Sequence, residues 1–352
     1  MNLPVWELGH LVWFQEYWIA RNPKRSLGLA YGVSNLHKAS ILKEADVWFD
    51  SANVPHSTRW ALTLFTPQNC IQYAEQTLAH TLELLHSEAD HSPALYFYWL
   101  VLQHEAMHLE ASAYMAQSLG IPYQALWQKQ AETNETKARI SQQQIHEKKT
   151  AQVPSQTWKL GSSGFSTSSA IEETTFCFDN ELTEKNCSIQ DFEISLRPVN
   201  WGQYLDFVNT TGYRLPNYIR KTATDFEAEV FGCWAPLNMD LPAVHLSWVD
   251  AQAYCHWAKC RLPTEAEWDC AAKTSIGFEW GDVWEWTQDA FEPYNGFVAH
   301  PYADYSVPWF GTHKVLRGAS HLTHAVLRDI NYRNFFTPER NDIYAGFRTC
   351  TL

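Results

Sequence analysis

Two histidines spaced four residues apart are the strongest chemical signal in this sequence. His104 and His108 lie in the stretch HEAMHLE, and on a helix this spacing brings both imidazoles to one face. Two neutral imidazoles arranged in this way can bind a divalent metal ion. The motif alone leaves three interpretations open: a zinc-protease site, a metal site of another kind, or two core histidines satisfied by their neighbours.

The same stretch matches the pattern H-E-x-x-H, in which Glu105 would be the general base of a metalloprotease. The longer form of that pattern is not met, because Ala111 and Tyr114 occupy the positions of its glycine and its third histidine. The other protease pattern takes a downstream glutamate, and Glu132 and Glu135 fall in a polar segment that is poorly suited to a rigid ligand. The sequence therefore favours a metal site of another kind over a protease.

A third imidazole stands near the start of the chain. His10 lies in WELGH, on an otherwise apolar predicted helix, and Gly9 beside it allows another segment to approach closely. A histidine on such a face is often a satisfied core residue. Facing helices of a bundle also assemble metal sites in their interior, so His10, His104 and His108 predict a three-histidine site. Three protein ligands would leave coordination positions open for substrate and oxygen.

The predicted helices that would carry these residues occupy the first third of the chain. Apolar residues cover nearly every side of the helix around WELGHLVWFQEYWI, which predicts deep burial. Two further helices are predicted over about residues 68–87 and over residues 93–119, the second ending at Gly120. Residues 1–125 therefore predict a bundle of antiparallel helices.

The remaining sequence changes character twice. Residues 126–152 are rich in Gln, Lys, Glu and Thr and predict a polar linker. Residues 153–352 contain short apolar runs broken by Gly, Pro, Asn and Asp, which indicates a loop-rich α+β domain. Helices are predicted there over 247–258 and over Pro263–Ala272, the latter opened by a capping box that pairs Thr264 with Glu267.

Composition narrows the classes of function. With 26 basic and 39 acidic residues the formal charge is −13, so the basic field of a nucleic-acid-binding protein is missing. The chain has no apolar run of 18 residues and no recognisable export signal, so we expect neither a membrane segment nor secretion. Its eight cysteines form no C-x-x-C pair, which predicts reduced thiols in a cytoplasmic protein.

Motifs in both halves resemble known families. LGHLVWFQEYW, followed by HEAMHLE, is similar to the DinB-like domain of the ergothioneine sulfoxide synthases. The second half resembles the formylglycine-generating-enzyme/sulfatase-modifying fold, in the runs FDNE (178–181), RLPTEAEW (261–268), GDVWEWT (281–287) and AGFR (345–348). The resemblance implies an α + (α+β) architecture in which a helical bundle (1–125) and a linker (126–152) precede a loop-rich, C-type-lectin-like domain (153–352). The resemblance also implies an active site between the two domains.

Within this superfamily the finer motifs look closest to the selenoneine synthases, which couple hercynine, the N-trimethyl form of histidine, to a selenosugar. The stretches concerned are WELGHLVWFQEYW, DSANVPHSTRW (50–60) and PYADYSVPWF (301–310). The resemblance implies a non-heme iron(II) enzyme that uses hercynine, O2 and a selenosugar or thiol donor. Mycobacterial-type relatives carry a glutamine at the position of Met107 and an acid at that of Phe336. Without that acid, a neutral sugar donor fits better than an amino-acid donor.

The resemblance also assigns roles to single residues. The iron ligands would be His10, His104 and His108, and Tyr302 would be the active-site tyrosine that delivers a proton. The positions implied to contact hercynine or the second substrate are Tyr305, Asn334, Phe335, Phe336, Met107 and Arg59. Aromatic faces suit hercynine, because its quaternary ammonium cannot donate a hydrogen bond.

Several alternatives stay open. An ergothioneine-type sulfoxide synthase would keep iron and hercynine but take cysteine, gamma-glutamylcysteine or a thiosugar. A DinB-like thiol transferase would use a redox-inert metal without oxygen, and a non-catalytic metal-binding module would show no effect of Tyr302→Phe. Formylglycine-generating activity is not expected, because no cysteine pairs with Cys350 at the required spacing. Relatives have a further helix before WELGH, so we expect this form to be less stable or more self-associating than one extended upstream.

Overall fold

A computed structural model of the chain describes residues 2–31, 37–61, 65–124, 150–166 and 176–352. The fold divides into two compact units that interleave along the sequence. The first unit comprises Met1–Ser112, Ser163–Leu182 and Gly296–Pro308, and the second unit comprises Ala113–Ser162, Thr183–Asn295 and Trp309–Leu352. The sequence analysis predicted a bundle over residues 1–125, a linker over 126–152 and a second domain over 153–352. The compact units differ from that division because two later segments pack with the N-terminal helices.

Helices dominate the first unit. They are α1 (Pro4–Gln15), α2 (Ala45–Phe49), α3 (Pro67–His86) and α4 (Leu95–Leu119), the last of which runs on into the second unit. The three long helices predicted from the sequence are confirmed, and α2 was not predicted. Gly120 has a φ of 62°, so the left-handed residue expected directly after α4 is present.

Helix α1 is buried on most of its surface, as its aromatic composition predicts. Trp6, Trp13 and Phe14 are buried, and a π-helical turn, Glu16–Ala20, continues the helix. One side stays open, because Leu8 is 41% exposed. The predicted deep burial is therefore confirmed for most of the helix, with Leu8 as an exposed exception.

A buried carboxylate joins α1 to its neighbours. Glu16 is 2% exposed and accepts hydrogen bonds from the Tyr73 hydroxyl at 2.7 Å, from the Ser40 hydroxyl and from the Ile41 backbone N–H. A buried charge is costly unless such donors surround it. These bonds fix α1 against α3 and against the segment that leads into α2.

The second unit mixes helices with short strands. Its helices are α5 (Trp201–Thr211), α6 (Trp248–Ala258) and α7 (Glu265–Thr274). Its strands are β1 (Thr150–Val153), β2 (Gln156–Leu160), β3 (Lys185–Ile189), β4 (Phe192–Ser195), β5 (Ile219–Lys221), β6 (Phe226–Val230), β7 (Cys233–Pro236), β8 (Cys260–Arg261), β9 (Trp284–Ala290), β10 (Lys314–Gly318), β11 (Asn334–Phe336), β12 (Ala345–Gly346) and β13 (Cys350–Thr351).

These strands form four small sheets among the described residues. Two sheets have four strands, in the orders β1-β4-β13-β8 and β11-β10-β9-β12, and the others pair β2 with β3 and join β5, β6 and β7. Most pairs are antiparallel, while β12 runs parallel to β9. The combination of helices and sheets fits the α+β class expected for this half of the chain.

Local signals set the helix starts in the second unit. Thr264 accepts a hydrogen bond from the Glu267 N–H, and the Glu267 side chain accepts one from the Thr264 N–H, so the predicted capping box is confirmed. Ser247 and Asp250 form the same box at the start of α6. The helices predicted at 247–258 and 263–272 are therefore present with small shifts in their ends.

The motifs RLPTEAEW and GDVWEWT form the buried centre of the second unit. Glu265 meets both Arg317 and Arg333, and Glu285 meets Arg348, all with side chains at most 5% exposed. Further buried members are Trp268, Trp284 and Trp286. These residues pair and pack with one another, as expected for a scaffold.

The other sequence predictions concern the polar linker, the state of the cysteine thiols and the absence of a membrane-spanning segment. The predicted linker 126–152 lies outside the described residues except for its last three, which begin β1. All eight cysteines are free thiols. No described helix combines the length and the apolar character that a membrane span requires.

Candidate metal centre

Three histidines from two helices converge in the first unit. His10 projects from α1, and His104 and His108 project from one side of α4. The ring centroids of His104 and His108 are 4.5 Å apart, and that of His10 lies 5.1 Å and 5.2 Å from them. One potential ligand atom from each residue lies within 4.8 Å of the other two. Among the described residues, no other set of three His, Cys, Asp or Glu side chains comes together in this way.

Hydrogen bonds orient two of these rings. Nδ1 of His108 is 2.7 Å from Oε2 of Glu7, and Nδ1 of His10 is 2.8 Å from the backbone oxygen of Phe49. Both acceptors require a hydrogen on Nδ1, which leaves Nε2 of each ring with a free lone pair. Carboxylate and carbonyl partners of this kind fix metal-binding histidines in the required tautomer.

The third ring is held by stacking instead. The Phe14 ring lies parallel to His104, with centroids 3.6 Å apart and an interplanar angle of 8°. His104 is 3% exposed, and its Nδ1 has no hydrogen-bond partner within the described part of the chain. A buried imidazole with an unsatisfied nitrogen is costly in a protein interior, and a metal ion bound through this nitrogen would remove that cost.

Close packing places His10 in its position. Trp6 stacks on the His10 ring, with centroids 5.2 Å apart and an angle of 5°. A Cβ atom on Gly9 would come within 2.9 Å of Phe49 Cδ1 and closer still to the next ring atoms. The glycine therefore allows Phe49 to come close enough for its backbone oxygen to reach Nδ1 of His10. This is the close approach that was expected at Gly9.

His10 and His104 are neutral at physiological pH. Burial, reinforced by the neighbouring His108, lowers the pKa of His10 to about 3, and burial likewise lowers the pKa of His104 well below its usual range. Burial opposes the charged form of Glu7, but the hydrogen bond from His108 outweighs it and lowers the pKa of Glu7 to about 2. Neutral imidazoles are the form that binds metal, and ionised Glu7 adds one negative charge behind His108.

The donor set fits a borderline divalent metal ion. Imidazole suits iron, zinc, copper and nickel, whereas magnesium and calcium prefer oxygen ligands. Three ligands from two helices leave the remaining coordination positions open, as in catalytic rather than closed structural sites.

The predicted active-site tyrosine lies beside this cluster. The Tyr302 ring centroid is 6.2 Å from that of His104 and 4.9 Å from that of Phe14, in edge-to-face orientations. Burial raises the pKa of Tyr302, so its hydroxyl keeps its proton at neutral pH. The sequence assigned Tyr302 to the C-terminal domain, but its segment packs in the first unit, on Phe14 and Trp18.

The other predicted contacts within the first unit have partners of their own. Tyr305 is buried and stacks on Phe178, with centroids 4.0 Å apart. The Arg59 guanidinium lies 4.1 Å from the centre of the Trp6 ring and donates to the backbone oxygens of Ser51 and Val54. Arg59 is thus one aromatic ring away from His10.

Met107 is half-buried on α4, between the two histidines of the motif.

Three predicted substrate contacts belong to the second unit. Asn334, Phe335 and Phe336 form β11, which pairs with β10. The Phe335 ring stacks on Phe291 with centroids 4.0 Å apart, and the Arg340 guanidinium lies 4.4 Å from the Phe336 ring. An aromatic side chain therefore stands next to a cation at position 336.

Sequence reasoning missed the residues that orient the ligands. Glu7 stands three positions before His10 in the same motif, and this spacing on one side of a helix was an available signal. Phe14 lies four residues after His10 on the same helix, and this spacing was a similar signal that the Phe14 ring would lie close to the cluster. Phe49 had no local signal, because its role depends on a backbone oxygen brought in from α2.

Comparison with known proteins identifies the second half of the chain. Residues 136–282 and 278–351 match the family described as the sulfatase-modifying factor enzyme 1-like domain. The chain belongs to this family. The matched region includes the buried motifs RLPTEAEW and GDVWEWT, in line with the resemblance recognised from the sequence.

Two relatives match this chain over nearly its whole length, and a third matches part of it. It is 25% identical over 426 residues to hercynine oxygenase of Mycolicibacterium smegmatis, covering 99% of this chain and 90% of the relative. Hercynine oxygenase of Mycolicibacterium thermoresistibile is 24% identical over 421 residues, with 99% and 87% covered. Ergothioneine biosynthesis protein 1 of Schizosaccharomyces pombe is 27% identical over 302 residues, with 71% and 38% covered. These matches support the resemblance to the ergothioneine sulfoxide synthase superfamily.

Proposed function

We propose that this protein is an iron(II)-dependent enzyme that uses O2 as the oxidant to bond the imidazole carbon of hercynine to the selenium of a selenosugar, with the ring C–H and selenol Se–H bonds broken and their hydrogens lost to the reduced oxygen. The observation that carries the proposal is the cluster of His10, His104 and His108 with Tyr302 beside it. The full-length similarity to proteins named hercynine oxygenase supports hercynine as the first substrate.

The three histidines would hold the iron through neutral imidazole nitrogens. Bound iron would supply oxygen activation and coordination of the two substrates. Glu7 and the Phe49 backbone oxygen keep Nε2 of His108 and His10 directed away from their hydrogen-bond partners. The parallel ring of Phe14 keeps His104 from turning. The protein thereby fixes the ligands before metal arrives, so little reorganisation is needed on binding.

Tyr302 is the proton donor in this proposal. Its hydroxyl is protonated at neutral pH, and its ring lies edge-to-face beside both His104 and Phe14. A proton held close to the reacting atoms in a partly dry site can be delivered without recruiting bulk water. Loss of the hydroxyl in Tyr302→Phe would remove the proton while leaving the ring packing intact.

The resemblance supports further substrate contacts. Hercynine would be bound by Tyr305, Asn334, Phe335, Phe336 and Met107, with aromatic faces toward its trimethylammonium group. Arg59 is assigned to the second substrate. Its guanidinium already donates to two backbone oxygens, so it would offer the donor its remaining N–H groups.

A selenosugar is proposed as the donor because of residue 336. Relatives that bind gamma-glutamylcysteine carry an acid at this position, where Phe336 packs against Arg340 here. An aromatic ring cannot pair with the amino group of an amino-acid donor. The second candidate is a sulfoxide synthase that takes a thiol, which the name of the relative ergothioneine biosynthesis protein 1 favours.

Donor profiling tests the proposal. The protein is loaded with Fe(II) without air, hercynine is added, and oxygen is admitted with a selenosugar, its thiosugar analogue, cysteine or gamma-glutamylcysteine. Mass spectrometry should find a hercynyl-selenosugar adduct that is lost in His104→Ala and strongly reduced in Tyr302→Phe. Adducts with thiols alone would refute the selenosugar as donor and favour the second candidate, the sulfoxide synthase. No adduct from any donor would refute both candidates.

A further inference from the structure

The segment that carries Tyr302 has little backbone support of its own. Residues 296–308, all within the described part of the chain, contain no strand and no α-helix. Tyr302 precedes the short 3-10 turn Ala303–Tyr305. The two backbone hydrogen bonds of this turn, from the N–H of Tyr305 to Tyr302 and from the N–H of Ser306 to Ala303, are both 3.2 Å long. This turn covers only residues 302–306, so side-chain contacts must help to fix the rest of the segment and Tyr302 within it.

One buried carboxylate binds this segment on both sides of Tyr302. Asp179 is 1% exposed. Its Oδ2 accepts a hydrogen bond from the backbone N–H of His300 at 3.2 Å, and its Oδ1 accepts one from the hydroxyl of Ser306. His300 lies two residues before Tyr302, and Ser306 lies four residues after it. The carboxylate therefore closes residues 300–306 into a loop that has Tyr302 inside it.

Neighbouring side chains direct these bonds. Asn180 donates from Nδ2 to the Ser306 oxygen at 3.0 Å, so the hydrogen of the Ser306 hydroxyl is available for Asp179. Asn180 and Ser306 are both fully buried, so water does not compete for these groups. The geometry therefore favours a single arrangement of the three side chains.

A second contact joins the segment that bears Tyr302 to α4, the helix that carries His104 and His108. The hydroxyl of Tyr96 is 3.2 Å from Nδ1 of His300. Tyr96 lies on α4, eight residues before His104, which is about 12 Å along the helix axis. The segment that bears Tyr302 is thus attached both to the turn at Asp179 and to the helix that supplies two of the histidines.

We propose that Asp179 is a positioning residue for Tyr302, holding the flanks of its turn so that the hydroxyl stays fixed beside the three histidines. This inference rests on the proposed role of Tyr302 as proton donor. A displacement of about 1 Å in a reacting group can lower a rate by about 100-fold. Loss of Asp179 should therefore slow turnover by about that factor, although the carboxylate contacts neither substrate nor metal in this proposal.

A double-mutant comparison separates positioning from a purely structural role. The variants are Asp179→Asn, Tyr302→Phe and the combination, and Asp90→Asn is the control because Asp90 is an exposed carboxylate of the same unit. We expect Asp179→Asn alone to lower kcat by about 100-fold. In the Tyr302→Phe background it should lower kcat by less than about twofold, because the hydroxyl it positions is already gone. Fe(II) binding should match that of Asp90→Asn.

Hydrogen exchange gives a second readout that does not depend on turnover. Peptides covering residues 296–308 should exchange faster in Asp179→Asn than in the unaltered protein and in Asp90→Asn, while peptides of α3 should be unchanged. Ser306→Ala removes only one of the two contacts to Asp179, and it should show the same changes to a smaller degree. This variant carries the test if Asp179→Asn does not fold.

Two results would overturn the inference: unchanged exchange in residues 296–308, or losses in kcat that multiply in the double variant. If the unaltered protein turns over none of the donors, the proposed function fails. The exchange experiment then still decides whether Asp179 holds the Tyr302 turn.

Discussion

Replacing Gly9 by alanine adds one methyl group where α1 and Phe49 approach most closely. The new Cβ would lie 2.9 Å from Cδ1 of Phe49 and nearer to Cε1 and Cζ. Carbon atoms pack at about 3.5–4.0 Å, so the ring would have to retreat by more than about 1 Å to clear its two nearest atoms. Phe49 is fully buried and lies against Phe65, with ring centroids 5.0 Å apart. Its backbone oxygen, the acceptor for His10, would move with it.

Two opposing terms set the size of the effect on stability. Overpacking a core site typically costs about 1–3 kcal/mol, and the upper end applies to a ring with no open side. Alanine is about 1 kcal/mol more favourable than glycine inside a helix. The difference predicts a loss of about 2 kcal/mol in the free energy of unfolding. The displaced acceptor of His10 should weaken Fe(II) binding by a further factor of about 10–100.

Urea unfolding and anaerobic Fe(II) titration would measure the two effects of Gly9→Ala. The matched control is Gly202→Ala, because Gly202 is also helical and its added Cβ would meet nothing closer than 3.5 Å. We expect the control to bind Fe(II) as the unaltered protein does and to be equally stable or up to about 1 kcal/mol more stable, because alanine also favours the helix there. The reasoning is refuted if Gly9→Ala behaves like the control in both measurements.

Three further changes test the surroundings of the site and the core. Glu7→Gln removes the charge behind His108 and should weaken Fe(II) binding by about 10–100-fold at nearly unchanged melting temperature; equal binding would contradict the orienting role. Because the pKa of His10 falls to about 3 on folding, only the unfolded chain takes up that proton below pH 6.5. The metal-free protein should therefore lose about 1.4 kcal/mol per pH unit from this residue as pH falls from 6.5 toward 3. His10→Asn should flatten the dependence of stability on pH, and an identical slope would disprove the assignment. Arg348→Met leaves the buried Glu285 unpaired and should cost about 3–5 kcal/mol in urea unfolding, with a loss below about 1 kcal/mol contradicting this.

Features with local causes could be predicted from the sequence. The capping box of Thr264 and Glu267, the left-handed Gly120 and the long helices all depend on residues within one or two turns of each other. The convergence of His104 and His108 follows from helical spacing alone. Predicting that His10 approaches this pair required only the assumption that the helices pack as a bundle. The structure brings the three histidines together.

Features with distant causes could not be predicted in the same way. Glu7 meets His108 across 101 positions, and Asp179 meets Ser306 across 127. No local pattern encodes such contacts, because tertiary packing alone brings the partners together. The same reason explains why Tyr302 was placed with the C-terminal domain, whereas its segment packs among helices from the start of the chain.

Oxygen consumption with two different metals tests the central claim most directly. The metal-free protein is loaded with one equivalent of Fe(II) or of Zn(II), both of which suit a three-histidine site, and hercynine and the selenosugar are added. The account predicts oxygen uptake and adduct formation with Fe(II) and neither with Zn(II), and both should vanish in His104→Ala. Adduct formation with Zn(II) and without oxygen uptake would contradict it and indicate a metal-dependent transferase instead.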